Sequence, residues 1–169
     1  MKKILILTLT ILITFSIAAC GETKKETVKD DAFIYEPQII IDSINAAVEK
    51  DGSGLYFSCD AFKESGKSIG TDDNWGRVLL TFDTTDNGLI THCRLYWSSS
   101  DNSNVIATAG LYSGTIVNTL TPDKSDDILN SMTDIVVKGN GSISMESNGA
   151  VVKFETIGDN NWLDISIKD

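Results

Sequence analysis

The tightest constraint on this chain is the dipeptide Asn148-Gly149. It separates two runs that alternate apolar and polar residues, with Ile143 and Met145 before it and Val152 and Phe154 after it. Asn-Gly tolerates positive φ at both centres of a two-residue turn, and that turn matches the right-handed twist of paired strands. Pairing Ser147 with Ala150 sets Met145 opposite Val152 and Ile143 opposite Phe154. All four then share one face, whereas a slip of one residue would turn one strand's apolar set outward. The spacing predicts an antiparallel hairpin with one dry side. A turn at Gly158-Asp159-Asn160-Asn161 leads into a last strand carrying Leu163, Ile165 and Ile167.

The same period of two appears earlier. Leu55 to Phe62 alternates, with Leu55, Phe57, Cys59 and Ala61 on one side. Lys63 to Asn74 reads as a polar loop. Arg77 to Asp83 sends Val78, Leu80 and Phe82 inward. After the turn Thr84-Thr85-Asp86-Asn87-Gly88, the strand Leu89 to Trp97 sends Leu89, Cys93, Leu95 and Trp97 inward and Ile90, His92, Arg94 and Tyr96 outward. These three strands read as an antiparallel meander.

Helical spacing fills the gaps. Ile40, Ile41, Ile44, Ala47 and Val48 fall on one side of a helix opened by Glu36-Pro37 and stopped at Gly52. Val105 to Leu120 forms a second helix, in which Gly110 and Gly114 each cost about 1 kcal/mol of propensity and imply close backbone approach. Ser125 caps a third helix, with Asp126 and Asp127 in its first turn. The expected fold class is α+β: an antiparallel sheet of about six strands in two three-stranded runs, with about three helices packed on one face. Asp73-Asn74-Trp75 and Asn160-Asn161-Trp162 each begin a strand after an acidic turn, which would fit either a faint duplication of the halves or a chance pair of short matches.

The amino end has a different logic. Lys2 and Lys3 precede Ile4 to Ala19, 16 uncharged and mostly apolar residues, too few for the roughly 20 that span a bilayer. Small residues then run into Cys20. This layout is that of an export signal. Ile17-Ala18-Ala19-Cys20 resembles the lipobox of bacterial lipoproteins. The resemblance implies cleavage before Cys20, a diacylglyceryl group on its sulfur, added palmitate-type acylation, and anchoring at the extracytoplasmic face of the cell membrane. Two acyl chains hold a protein stably where one holds it marginally. Residues 1–19 are thus expected to be a signal peptide, residues 20–35 the lipidated cysteine and a flexible tether, and residues 36–169 a single α+β domain. Gly21 to Asp31 is Glu, Thr, Lys and Asp with one valine, too polar to bury a core.

Charge narrows the partners. The signal holds two of the chain's 14 basic residues and none of its 24 acidic ones, so the mature 150 residues keep 12 and 24, a net charge of −12. That repels phosphate backbones, and no nucleic-acid partner is expected. It also repels anionic headgroups, leaving the lipid as the membrane attachment.

Motifs for chemistry are scarce. His92 is the one histidine, on the outward side of a strand beside Arg94, and a lone strand histidine is ordinarily a surface residue. Asp83 to Gly88 departs from a calcium loop, with Thr85 at the third position and Arg94 where a bidentate glutamate is needed. No phosphate loop, dinucleotide fingerprint or Gly-x-Ser-x-Gly elbow occurs. No catalytic residue, metal ligand or cofactor is expected. Cys59 and Cys93 are the remaining thiols. They read as buried free thiols if a middle strand parts them, and as a disulfide if their strands are neighbours.

Trp75, Asn74, Tyr96, Trp162 and Asn161 form the candidate binding surface, aromatics beside amide-rich loops that could stack on sugar or peptide. The bland alternative is that each tryptophan plugs a sheet edge. The function expected from this inventory is a non-catalytic, lipid-anchored binding or accessory module that contacts a protein, peptide or wall component through loops 63–76, 98–104 and 158–161. Two alternatives are an immunity or exclusion lipoprotein capturing a cationic peptide, and a small envelope hydrolase using paired carboxylates.

Overall fold

The computed structural model describes residues 26–54, 56, 58–59, 62–65, 68–72, 78–98 and 103–168; over 62–65 and 68–72 it describes the backbone. The signal segment, Cys20, Asn74 and Trp75 lie outside the described residues. Among the described residues no helix is long and apolar enough to cross a membrane.

The architecture is α+β, as the periodicity predicts. A small hairpin comes first, β1 (Val28–Lys29) and β2 (Ala32–Phe33). Helix α1 (Pro37–Asp51) follows, then β3 (Phe62–Ser65), β4 (Ser68–Asp72), β5 (Val78–Thr84) and β6 (Ile90–Ser98). Two helices come next, α2 (Ser103–Leu120) and α3 (Ser125–Lys138), and then β7 (Asn140–Ser147), β8 (Ala150–Ile157) and β9 (Asn160–Ile167). The main sheet is antiparallel and seven-stranded, in the order β3-β4-β5-β6-β9-β8-β7. Two meanders, β4 to β6 and β7 to β9, therefore meet through their last strands.

The Asn148-Gly149 hairpin has the expected register, with Ser147 opposite Ala150, Met145 opposite Val152 and Ile143 opposite Phe154. Both turn residues have positive φ, 44° and 83°. Helix α1 begins at Pro37 and ends on Gly52, whose N–H donates to the Val48 carbonyl from a left-handed φ of 62°. Helix α2 packs on β5, β6, α1 and α3, and α3 packs on β7 and β8. The core between helices and sheet joins Ile40, Ile44, Ile116, Leu120 and Ile128 to Leu80, Phe82, Leu95, Phe154 and Leu163. Trp97 and Phe154 stack there, with ring centroids 5.7 Å apart. Each such side chain contributes roughly 1.5–3 kcal/mol on burial.

Several expectations need correction. Of the strand placed over 55–62, Ser58 and Cys59 have no ladder and Phe62 belongs to β3, while the described parts of the 63–74 stretch read as loop, 63–65 and 68–72, are strand, β3 paired with β4. Lys63 and Glu64 disguised the first of these as loop; an edge strand carries polar residues without penalty. Cys59 is therefore not in a strand; its N–H donates to Asn45 Oδ1 at 2.7 Å. Both Cys59 and Cys93 are buried, and neither is in a disulfide. Burial pushes the Cys93 thiol well above its ordinary value, with Asp164 and Cys59 adding to the effect, so it stays protonated.

Ile90, expected outward, is fully buried: the register shifts by one residue between Asp83 and Thr84, opposite Thr91, and the bulge reverses the alternation. Ser125 does not cap α3. Lys124 takes the cap position, and the Ser125 hydroxyl lies 3.4 Å from the Pro122 carbonyl. The tether expected over 20–35 is partly docked: Phe33 and Ala32 are buried, and Thr27 Oγ1 donates to the Leu120 carbonyl at 2.9 Å. Asp30 and Asp31 make its turn at positive φ. Asn160-Asn161-Trp162 overlaps the start of β9, whereas Asp73-Asn74-Trp75, the other copy of the motif that suggested a duplication, lies outside the described residues.

Candidate functional site: the helix-free face of the sheet

Among the described residues the helices cover one face of the sheet, so alternation sends the other half of each strand's side chains to the face these helices leave open. Cross-strand register arranges them in three rows. The first is Leu79, Tyr96, Trp162, Glu155 and Ser142. The second is Thr81, Arg94, Asp164, Lys153 and Ser144, and the third is Asp83, His92, Ser166, Val151 and Glu146. Five strands at about 4.8 Å spacing make this field about 19 Å wide.

The first row is apolar over β5, β6 and β9. Leu79 is 42 % exposed and Trp162 37 % exposed, with Tyr96 half-buried between them. The Tyr96 and Trp162 rings are tilted at 44° with centroids 5.7 Å apart. The Tyr96 hydroxyl donates to Asn160 Oδ1 at 2.7 Å, which fixes the ring. Exposed aromatics on a sheet offer large contact area at small entropic cost, because each has only two side-chain torsions to freeze.

The next two rows hold a charged cluster. Arg94 stands directly opposite Asp164 and donates from Nε to Oδ2 at 3.3 Å. His92 Nε2 lies 2.7 Å from Asp164 Oδ1, and Arg94 Nη2 lies 2.9 Å from His92 Nδ1. Arginine can only donate, so Nδ1 accepts and Nε2 carries the proton to Asp164. Asp83 Oδ2 closes the group, 3.4 Å from His92 Nδ1 and 3.9 Å from Arg94 Nη2. Partial burial works to raise the Asp164 carboxyl. The hydrogen bonds from His92 and Arg94 and the positive charge beside it outweigh it and hold that carboxyl below the usual carboxylate range. A general acid needs the opposite shift. The cluster presents fixed charge and fixed donors on this face. Among the described residues no group of three or more His, Cys, Asp or Glu is arranged to hold a metal ion.

Of the residues selected from sequence, Tyr96 and Trp162 come together on this face, 66 positions apart in the chain. Trp162 does not plug an edge: β9 is interior, between β6 and β8. Asn161 does not join them. The β8–β9 turn is only Gly158-Asp159, so Asn160 and Asn161 are strand residues and Asn161 shares its parity with Leu163. It is fully buried on the helix side, where Oδ1 accepts from Thr156 Oγ1 at 2.9 Å and Nδ2 donates to the Asp159 carbonyl at 3.3 Å. Sequence reasoning placed His92 and Arg94 outward but missed Asp164 as their partner. The alternation of β9 puts Asp164 outward with Trp162; what it does not say is that β6 is the neighbour.

Comparison with protein-family models, with curated proteins and with solved structures finds no match to this chain.

Proposed function

We propose that the protein is a lipid-anchored, extracytoplasmic binding or accessory module, non-catalytic, that holds a protein, peptide or cell-wall component against the helix-free face of its sheet. The anchor is Cys20, on the Ile17-Ala18-Ala19-Cys20 pattern. The observation that carries the reading is the row Leu79, Tyr96, Trp162: three large side chains left at the surface of interior strands, beside a charged cluster already locked by its own contacts. A sheet with no ligand on this face would gain solubility from polar residues there. A chain segment laid across the row would bury the indole and meet Arg94, Asp164 and Lys153 one step away.

The anchor is tested with Cys20→Ser in the producing cell: the account expects loss of palmitate label and release from the membrane, and unchanged labelling contradicts it. The face is tested in intact cells by photo-crosslinking side chains placed at Leu79 and Glu155, with Val137 on the helix layer as the control. Adducts from the two sheet positions and none from Val137 support the reading. Equal adducts from all three overturn it.

A further inference from the structure

The sheet has two edges, and they differ in kind. At one end is β3, four residues long, with Lys63 and Glu64 in its sequence. Short length and charge are the ordinary protections of an edge. At the other end is β7, eight residues long and running Asn-Gly-Ser-Ile-Ser-Met-Glu-Ser, with no proline and no lysine. It pairs with β8 at every position from Asn140 to Ser147, without a bulge. Its one charge, Glu146, is met by Lys168 Nζ at 2.8 Å. Among the described residues, then, the longer edge of the main sheet is electrically neutral on a strongly acidic chain.

The hairpin fixes which backbone groups this edge presents. Ser147 and Ala150 flank a two-residue turn and so exchange both hydrogen bonds; Met145, Ile143 and Gly141 follow in the same phase. The alternate residues Asn140, Ser142, Ser144 and Glu146 aim their N–H and C=O away from β8. These four residues are also the ones whose side chains are exposed on the helix-free side.

We infer that β7 is a self-pairing edge, and that two copies of the chain join antiparallel through it into one continuous sheet. A two-fold axis at Ile143 gives a register that uses all four outward residues. Ser142 then faces Ser144 of the second copy, and Asn140 faces Glu146, so no like charges meet. Ile143, half-buried in one copy, faces Ile143 of the other on the helix side, and Met145 falls beside Gly141. At Gly141 a Cβ would lie 3.4 Å from Ile135 of α3, so the glycine lets the helix sit close over this part of β7. The helices do not obstruct the join. Each α3 lies over β7 and β8, so two axes straddling a strand spacing of about 4.8 Å would sit about 10 Å apart, a normal helix-packing distance. The self-complementary register argues for a second copy, and the neutral edge offers no net charge to draw a cationic peptide instead.

The test uses the full chain in the membrane of the producing cell. A copy bearing Ser142→Cys is co-expressed with a differently tagged copy bearing Ser144→Cys, and a mild copper–phenanthroline oxidant is added. The register puts these positions in a hydrogen-bonded pair with Cα atoms about 5.5 Å apart, within disulfide reach. The expected result is a mixed-tag, reductant-sensitive dimer at least tenfold above either copy alone or the parent chain. Adding Ser144→Pro to both a Glu146→Cys copy and an Asn140→Cys copy, which the register also makes a crosslinking pair, removes an outward N–H and spares the β7–β8 ladder. It should abolish the dimer while leaving the circular dichroism spectrum and melting temperature of the purified chain unchanged. Amide exchange at residues 142, 144 and 146 supplies the other arm: protection that grows with protein concentration supports self-pairing. Protection independent of concentration means the chain's own amino-terminal segment covers the edge and overturns the proposal. Crosslinking no greater than the single-copy controls overturns it too.

Discussion

Trp162 and Leu163 are adjacent in β9 and face opposite ways. Leu163 is 1 % exposed, packed with Leu95 and Phe154 under the helices; Trp162 is 37 % exposed on bare sheet beside Tyr96. The whole β6–β9 pair divides in the same manner. One side, with Cys93, Leu95, Trp97 and Ile165, is closed hydrocarbon, and the other is a lattice of charge and aromatic surface. The difference teaches where the fold spends its large side chains. The helix side is where they stabilise the domain. On the bare side they add little to folding, and so ask for another explanation.

Substitutions that respect or break this division should rank accordingly. The largest effect is Leu163→Ala, expected to cost about 3 kcal/mol in urea unfolding, the scale of a large-to-small change in a packed core. Next comes Asn161→Ala. It strands the Thr156 hydroxyl in the core and should cost about 2 kcal/mol; a loss under about 0.5 kcal/mol would mean Asn161 belongs with the surface residues after all. Asp164→Asn should cost about 1 kcal/mol at neutral pH, since its pairs are partly exposed. The sign of its pH dependence follows from the lowered carboxyl. The stabilisation is complete above the unfolded-state value of about 3.9 and is lost as pH falls through the lower folded-state value. The urea midpoints of parent and Asp164→Asn should therefore converge below about pH 4 and stay apart at pH 7.

A smaller effect tests the helix layer. Ser113 Oγ in α2 is buried without a hydrogen-bond partner, so Ser113→Ala should be neutral or stabilise by up to about 1 kcal/mol. Trp162→Ala should change the unfolding free energy by less than about 1 kcal/mol, because its indole is already partly in water.

Much of the fold was legible in the chain. The Asn148-Gly149 turn and its flanking alternation determined the β7–β8 register residue by residue, because period two and a two-residue turn leave no freedom. The three helices could be placed for the same sort of reason, from stripes with clear stops such as Gly52 and Gly139. What local pattern could not supply was of two kinds. Bulges and turn lengths shift parity: one extra residue near Thr91 put Ile90 inside, and a turn two residues shorter than its composition suggested put Asn161 inside. Strand neighbours distant in sequence were the other kind. Arg94 and Asp164 meet only because β6 pairs with β9, and no local rule chooses that partner. Half of the candidate site was thus visible as outward-facing residues, and the charged cluster became visible only with the topology.

The most direct test of the division is to compare Trp162→Ala with Leu163→Ala, one residue apart, in both melting temperature and partner capture from a photo-crosslinker at Leu79. The account predicts that Trp162→Ala melts within about 3 °C of the parent and loses the crosslinked adduct, whereas Leu163→Ala melts several degrees lower and, below its transition, keeps the adduct. An undiminished adduct from Trp162→Ala would contradict it.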